Sequence, residues 1–285
     1  MIILDGSMGN ELLKRTNKPS SGLWSAQFLI DSPNLVKEVH QAYVDVGAQV
    51  ITTNTYSTIP SYLEKENKTH LMKDLIKKAG AIAREVADAN NQEILVAGSL
   101  PPLDESYRPD LVPEEKESIP IYEDLIEELN AYVDIFLCET VSSIAETSNI
   151  LKAVKNKAKQ DKKIWLSWTL LEDKSCKLRS KETIEEAFQL AESFNPDAYL
   201  FNWTDPIAIT EGIKKLSKLT EKPIGCYPNV FGVPFDWPLD NDVQVEPRNL
   251  SVEQFVEYKN LWEDLGASII GGCCGFGPEY ITAVA

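Results

Sequence analysis

Two thiols stand side by side near the end of the chain, at Cys273 and Cys274, in the stretch Gly271-Gly272-Cys273-Cys274-Gly275. Adjacent cysteines do not readily pair with each other, but two neighbouring thiolates can hold one soft metal ion. Zinc accepts sulfur at ~2.3 Å in tetrahedral geometry, and a catalytic zinc keeps one position open, where a substrate thiol would lose its proton and become a nucleophile. Two small residues buried in a core would give the same dipeptide. Asp5 and Glu139 each end an apolar run. Paired carboxylates suit an ammonium group or acid/base work, although each could instead cap a following helix. Gly6 and Gly9 would free backbone N–H groups near a helix start, a cradle for a carboxylate. Asn54 and Asn202 could hydrogen-bond substrate or fix neighbouring loops, and Tyr227-Pro228-Asn229 is a turn signal before it is a site. Trp165, Trp168, Tyr199 and Trp203 read as core or pocket wall. His40 lies mid-helix and His70 at a helix start, so neither is placed as the base of a Ser-His or Cys-His hydrolase.

These residues need elements that bring them together. Eight short apolar or β-branched runs recur, at 2–6, 50–56, 94–102, 134–140, 163–170, 198–204, 223–229 and 268–275. Segments with helical periodicity separate them: residues 32–48 open with Ser32-Pro33 and put Leu35, Val36, Val39, Tyr43 and Val46 on one face. Residues 70–89, 142–158, 180–194, 206–219 and 251–267 read the same way. Strands alternating with helices imply crossovers and a parallel sheet, and eight such units predict a (β/α)8 TIM barrel, one domain spanning 1–285. In a barrel the strand C-termini converge on one site, so distant positions can be read as one constellation.

No GxGxxG follows the first strand, which weakens a dinucleotide-binding reading, and no strand ends in a lysine for Schiff-base chemistry. Segments 103–119 and 230–249 are longer than barrel connections require and are expected to project over the mouth of the barrel. Phe231, Phe235 and Trp237 in the second could present rings to a cationic group, or pack as a lid. Little chain follows the last strand to build an eighth helix.

A formal charge of -16 excludes nucleic acid and anionic membranes as expected partners. No run approaches ~18 apolar residues and no basic leader precedes the first strand, so the expected location is cytoplasmic. Five cysteines without a secretory signal do not make a disulfide scaffold, and Cys176, in a polar stretch, reads as a surface thiol.

Seven motifs appear in order along the chain: Asp5-Gly6-Ser7-Met8-Gly9, Thr53-Asn54-Thr55-Tyr56, Gly98-Ser99-Leu100-Pro101-Pro102, Glu139-Thr140, Leu178-Arg179-Ser180, Tyr227-Pro228-Asn229 and Gly271-Gly272-Cys273-Cys274-Gly275. In this series the chain resembles the homocysteine S-methyltransferase family over nearly its whole length. The resemblance implies a zinc-dependent (β/α)8 enzyme that passes a methyl group from a sulfonium or ammonium donor to the thiol of homocysteine, giving methionine. It implies that Asp5 and Glu139 hold the amino group, that backbone from Gly6 through Ser7 to Met8 holds the carboxylate, with Asn54 and Asn202 as further substrate contacts, that Cys273 and Cys274 are zinc ligands, and that these two and Glu139 are catalytic. The family's third ligand is a cysteine after the sixth strand's asparagine; here Asn202 is followed by Trp203, whose indole offers only an N–H donor. Three readings stay open. Cys226 could substitute as third ligand, although it and Tyr227 should point to opposite sides of their strand. Zinc could be absent and another acceptor methylated. The chain could also bind an amino acid without catalysis.

Overall fold

Each of the eight apolar runs is a strand because it is buried on both faces, by helices outside and by its neighbours' side chains inside. The computed structural model describes residues 1–16, 21–173, 175–230 and 250–285. Its strands are β1 (Ile2–Ile3), β2 (Val50–Thr52), β3 (Leu95–Leu100), β4 (Ile135–Val141), β5 (Lys163–Trp168), β6 (Ala198–Asn202), β7 (Ile224–Tyr227) and β8 (Ala267–Ile270). All pair in parallel in the order β1-β8-β7-β6-β5-β4-β3-β2. A bridge between Leu4 and Val50 joins the two ends of that order and closes the barrel. The Asp5 N–H reinforces it by donating to the Val50 carbonyl at 3.0 Å.

Alternation along the strands sorts side chains into two layers. Leu4, Leu137, Trp165, Leu200, Tyr227 and Ile269 fill the lumen. Phe136, Cys138, Trp168, Phe201 and Cys226, one position away, face the helices. Trp168 and Tyr199 stack there with centroids 5.4 Å apart, as core rings.

The helices are α1 (Met8–Lys14), α2 (Ala26–Asp31), α3 (Pro33–Asp45), α4 (Pro60–Leu63), α5 (Met72–Asp88), α6 (Glu115–Leu129), α7 (Ile144–Lys157), α8 (Ile184–Glu192), α9 (Pro206–Leu216), α10 (Val252–Asp264) and α11 (Pro278–Val284). Local signals fix several starts. Thr183 with Glu186, and Ser251 with Gln254, form reciprocal capping boxes on α8 and α10, and Asp205 accepts the Ala208 N–H at 2.6 Å on α9. None of the helices among the described residues is long and apolar enough to cross a membrane.

Segment 103–119 departs from its expectation. Its last five residues are the opening of α6, which the prolines hide: Pro113 stands just before the helix and Pro120 inside it, where one intrahelical bond is lost. The short tail also does more than expected, since α11 forms and packs against α10 and α3. Cys176 is half-buried and packs against the outer core. Of segment 230–249 only Val230 is among the described residues, and Phe231, Phe235 and Trp237 lie outside them.

Candidate active site

Asp5 and Glu139 meet at the C-terminal mouth, each positioned by hydroxyls. Thr52, the last residue of β2, donates to both oxygens of Asp5, its backbone N–H at 2.7 Å and its hydroxyl at 3.0 Å. Ser99 of β3 donates its hydroxyl to one oxygen of Glu139, and Tyr227 at the end of β7 donates to the other at 3.3 Å. Ser99 is itself held by the loop after β2: its N–H donates to the Thr53 hydroxyl, and its carbonyl accepts from Thr55 at 2.8 Å. Both carboxyls are buried, Asp5 at 5 % and Glu139 at 7 % exposure. Burial pushes Glu139 up to about 7 against the lowering pull of its Ser99 and Tyr227 bonds. Burial likewise lifts Asp5 to about 7, the Thr52 bonds opposing and the charge of Glu139 adding to the rise. Among the described residues no lysine or arginine pairs with either. A cation brought by a ligand is what would ionise this pair.

The Asp5 loop and the cysteine loop are stitched together. Gly272 N–H donates to the Asp5 carbonyl at 3.1 Å, and Ser7 N–H to the Phe276 carbonyl at 2.9 Å. The buried Tyr43 hydroxyl, from α3, bonds the carbonyls of Ser7 (3.1 Å) and Phe276 (3.0 Å). Asn10 accepts from the Ser7 hydroxyl and from Gly275 N–H. Gly6 sits so tightly in this seam that a Cβ there would come within 2.3 Å of the Phe276 carbonyl oxygen. Ser7 caps α1, accepting the Asn10 N–H. The expected carboxylate cradle from Gly6 to Met8 therefore lies beside Asp5, but the Ser7 N–H within it already has a partner.

Cys273 and Cys274 lie half-buried at the end of β8. Cys273 packs against the lumen layer that includes Tyr227. Burial pushes its thiol well above the usual range, and the neighbouring Cys274 and the charge of Glu139 add to that rise. The other two candidates of the series bond neighbouring protein groups. Asn54 donates its amide to the Ser25 carbonyl at 3.0 Å. Asn202 is fully enclosed and bonds Thr140 and Ser167. Thr52, whose two donors hold Asp5, was not singled out in the sequence, and Thr53 and Thr55, which hold Ser99, stood there only as members of a motif. His40 is buried in α3, away from the mouth, and burial lowers it to about 4, so it is a neutral core residue.

The donor set does not complete a metal centre. Cys226 belongs to the helix-facing layer while Tyr227 fills the lumen, so β7 turns that thiol away from Cys273 and Cys274. Trp203, in the left-handed region at φ 49°, stacks on Tyr56 with centroids 5.7 Å apart and tilts against Tyr107 at 5.0 Å. Tyr107 in turn accepts from Asn229, carries the Arg179 guanidinium 4.9 Å from its ring, and lies in the field of Cys273 and Cys274. The position after Asn202 is thus filled by an indole, which has no lone pair to give. Among the described residues no group of three or more histidines, cysteines or carboxylates is placed to hold a metal ion, and two thiols fall short of a three-ligand zinc site.

With this geometry in view, known proteins are informative. The chain is 27% identical to the homocysteine S-methyltransferase YbgG of Bacillus subtilis, over 100% of this chain and 93% of that protein. It is 29% identical to the selenocysteine methyltransferase of Astragalus bisulcatus, over 99% and 90%. The metallated crystal form of the homocysteine methyltransferase MmuM from Escherichia coli superposes with a TM-score of 0.84 at 27% identity, covering 100% of this chain and 95% of that one. The model of the homocysteine S-methyltransferase family matches residues 2–285, and with the barrel and the order of its strand-end motifs this places the chain in that family.

Proposed function

We propose that the protein transfers a methyl group from a sulfonium or ammonium donor to the thiol of homocysteine, giving methionine. The observation that carries this reading is the buried carboxyl pair, Asp5 and Glu139, lacking a cationic partner among the described residues and set beside two thiols. An amino acid whose ammonium lies between the two carboxyls ionises both, and its carboxylate falls toward the Gly6–Met8 backbone. The side-chain sulfur then extends toward Cys273 and Cys274.

In the transfer the acceptor sulfur attacks the donor methyl carbon. A new S–C bond forms as the donor's C–S or C–N bond breaks, the electron pair leaves with a neutral thioether or amine, and the thiol proton passes to bulk water. Glu139 and Asp5 orient the substrate, while Tyr227 and Ser99 orient Glu139. Cys273 and Cys274 are the residues that would contribute to a metal site, as the metallated form of MmuM suggests. Zinc is the metal their sulfur donors favour, and a cytoplasmic setting suits five free thiols.

Methionine formation from homocysteine, measured with S-methylmethionine and with betaine on reduced protein, tests the reading. Turnover with either donor is the expected result. Homocysteine binding without turnover by either would reduce the protein to an amino-acid binder, and absence of both would overturn the reading.

A further inference from the structure

Asn202 is entirely enclosed, and its amide is committed. Its oxygen accepts from the Thr140 N–H at 2.9 Å and from the Ser167 hydroxyl at 2.7 Å, and its nitrogen donates to the Thr140 hydroxyl at 2.9 Å. Three of the four hydrogen bonds an amide can make are thus accounted for, two of them on one residue. That residue is unusual: Thr140 is β-branched yet sits at φ 60°, in the left-handed region. Such a conformation is strained for a β-branched residue and persists only where its surroundings enforce it.

The strain falls in a bulge. Cys138 pairs with Leu166 and Val141 with Trp168, so β4 takes one residue more than β5 over the same stretch. The residues absorbed there are Glu139 and Thr140. The bulge lets two consecutive residues engage the lumen, Glu139 toward Asp5 and Thr140 toward Asn202, and returns Val141 to the helix-facing layer. A second line runs from the same amide oxygen through hydroxyls. Ser167, bonded to Asn202, also contacts the Tyr227 hydroxyl, which donates to Glu139.

We propose that Asn202 is a positioning residue: it clamps Thr140 in the left-handed conformation and thereby aims the Glu139 carboxylate at the ammonium group of the substrate. The clamp itself rests on the geometry alone, and the ammonium as its beneficiary rests on the function proposed above.

Asn202→Ala should raise the homocysteine KM by about 10- to 100-fold while kcat changes by less than about threefold, because the thiol end of the pocket is untouched. Glycine adopts positive φ without a clamp, so the decisive comparison is made in a Thr140→Gly background. There, adding Asn202→Ala should change KM by less than about threefold, and Thr140→Gly should restore thermal stability lost in Asn202→Ala. If Asn202→Ala alone does not fold while the double variant does, with KM within threefold of Thr140→Gly, the clamp is supported. A tenfold or greater KM increase in the glycine background would overturn it, since Asn202 would then act on substrate directly. Should the unsubstituted enzyme neither bind nor turn over homocysteine, the functional reading fails, and the clamp is judged on stability alone. In that case, failure of Thr140→Gly to raise the melting temperature of Asn202→Ala, or to restore folding, overturns it.

Discussion

Asp5 and Glu139 are costly residues in the empty protein. A rise of Glu139 from 4.5 to about 7 corresponds to about 3 kcal/mol between its two protonation states. Because the folded-state values lie above those of an unfolded chain, the stability the protonated groups contribute is fully present below about pH 4 and is lost as pH rises through about 7. The ligand-free protein should therefore melt at lower temperature at pH 8 than at pH 5, and an ammonium-bearing ligand should offset that loss. Glu139→Gln keeps the shape and removes one buried charge. Calorimetry should show a higher melting temperature than the parent at pH 8 and a shallower decline with pH. Titration should show homocysteine bound roughly 10- to 150-fold more weakly, the loss expected of a hydrogen bond to a charged group. A lower melting temperature at pH 8 would count against the assignment.

At the scale of elements, the ends of the strands carry the chemistry and the ends of β4 and β6 show it best. β6 stops at Asn202, and the next residue, Trp203, turns left-handed and lays its ring on Tyr56 and Tyr107. Trp203→Cys would put a third thiol where the family resemblance expects one. Zinc retained per chain after dialysis should rise from well below one toward one, while loss of the two ring contacts lowers the melting temperature, each aromatic pair being worth about 0.5–1.5 kcal/mol. Unchanged zinc content would show that β6 does not point position 203 at Cys273 and Cys274.

The strands themselves were legible because a parallel strand buried on both faces is written as an unbroken apolar run, as in Ile135–Val141. The convergence of Asp5, Glu139, Cys273 and Cys274 followed from the barrel alone. Helix α6 was not legible, since Pro113 and Pro120 break the local pattern that tertiary packing overrides. Nor was the role of Asn202: sequence shows an amide at a strand end, but whether it meets a ligand or its own neighbours depends on enclosure, which no local pattern encodes. The hydroxyl of Thr52 was hidden for the same reason, its importance lying in a partner 47 positions away, and Ser99, marked by its motif, could not be matched there to Glu139, 40 positions on.

The whole molecule closes where its substrate is expected to sit. β1 contributes only Ile2–Ile3 to the sheet, and the ring is completed by the Leu4–Val50 bridge and the stitching of the Asp5 loop to the Gly272–Phe276 loop. Saturating homocysteine should slow amide hydrogen exchange at Ser7 and Gly272, read by mass spectrometry, by the factor that binding stabilises the closed form. With ligand at 100 times its dissociation constant that factor approaches a hundred if opening the seam releases the ligand. Exchange unchanged at these amides would place the binding site elsewhere.

That seam also sets an order on synthesis. Asn10 accepts a hydrogen bond from Gly275, 265 positions later, and Tyr43 bonds a carbonyl 233 positions away. The first strand leaves the ribosome before the rest of the barrel but has no partner on its β8 side until the eighth strand is made. The pocket is therefore among the last features to form on a nascent chain. An amino acid that fits it would act as a latch on finished barrels, distinguishing them from chains whose two ends have not yet met.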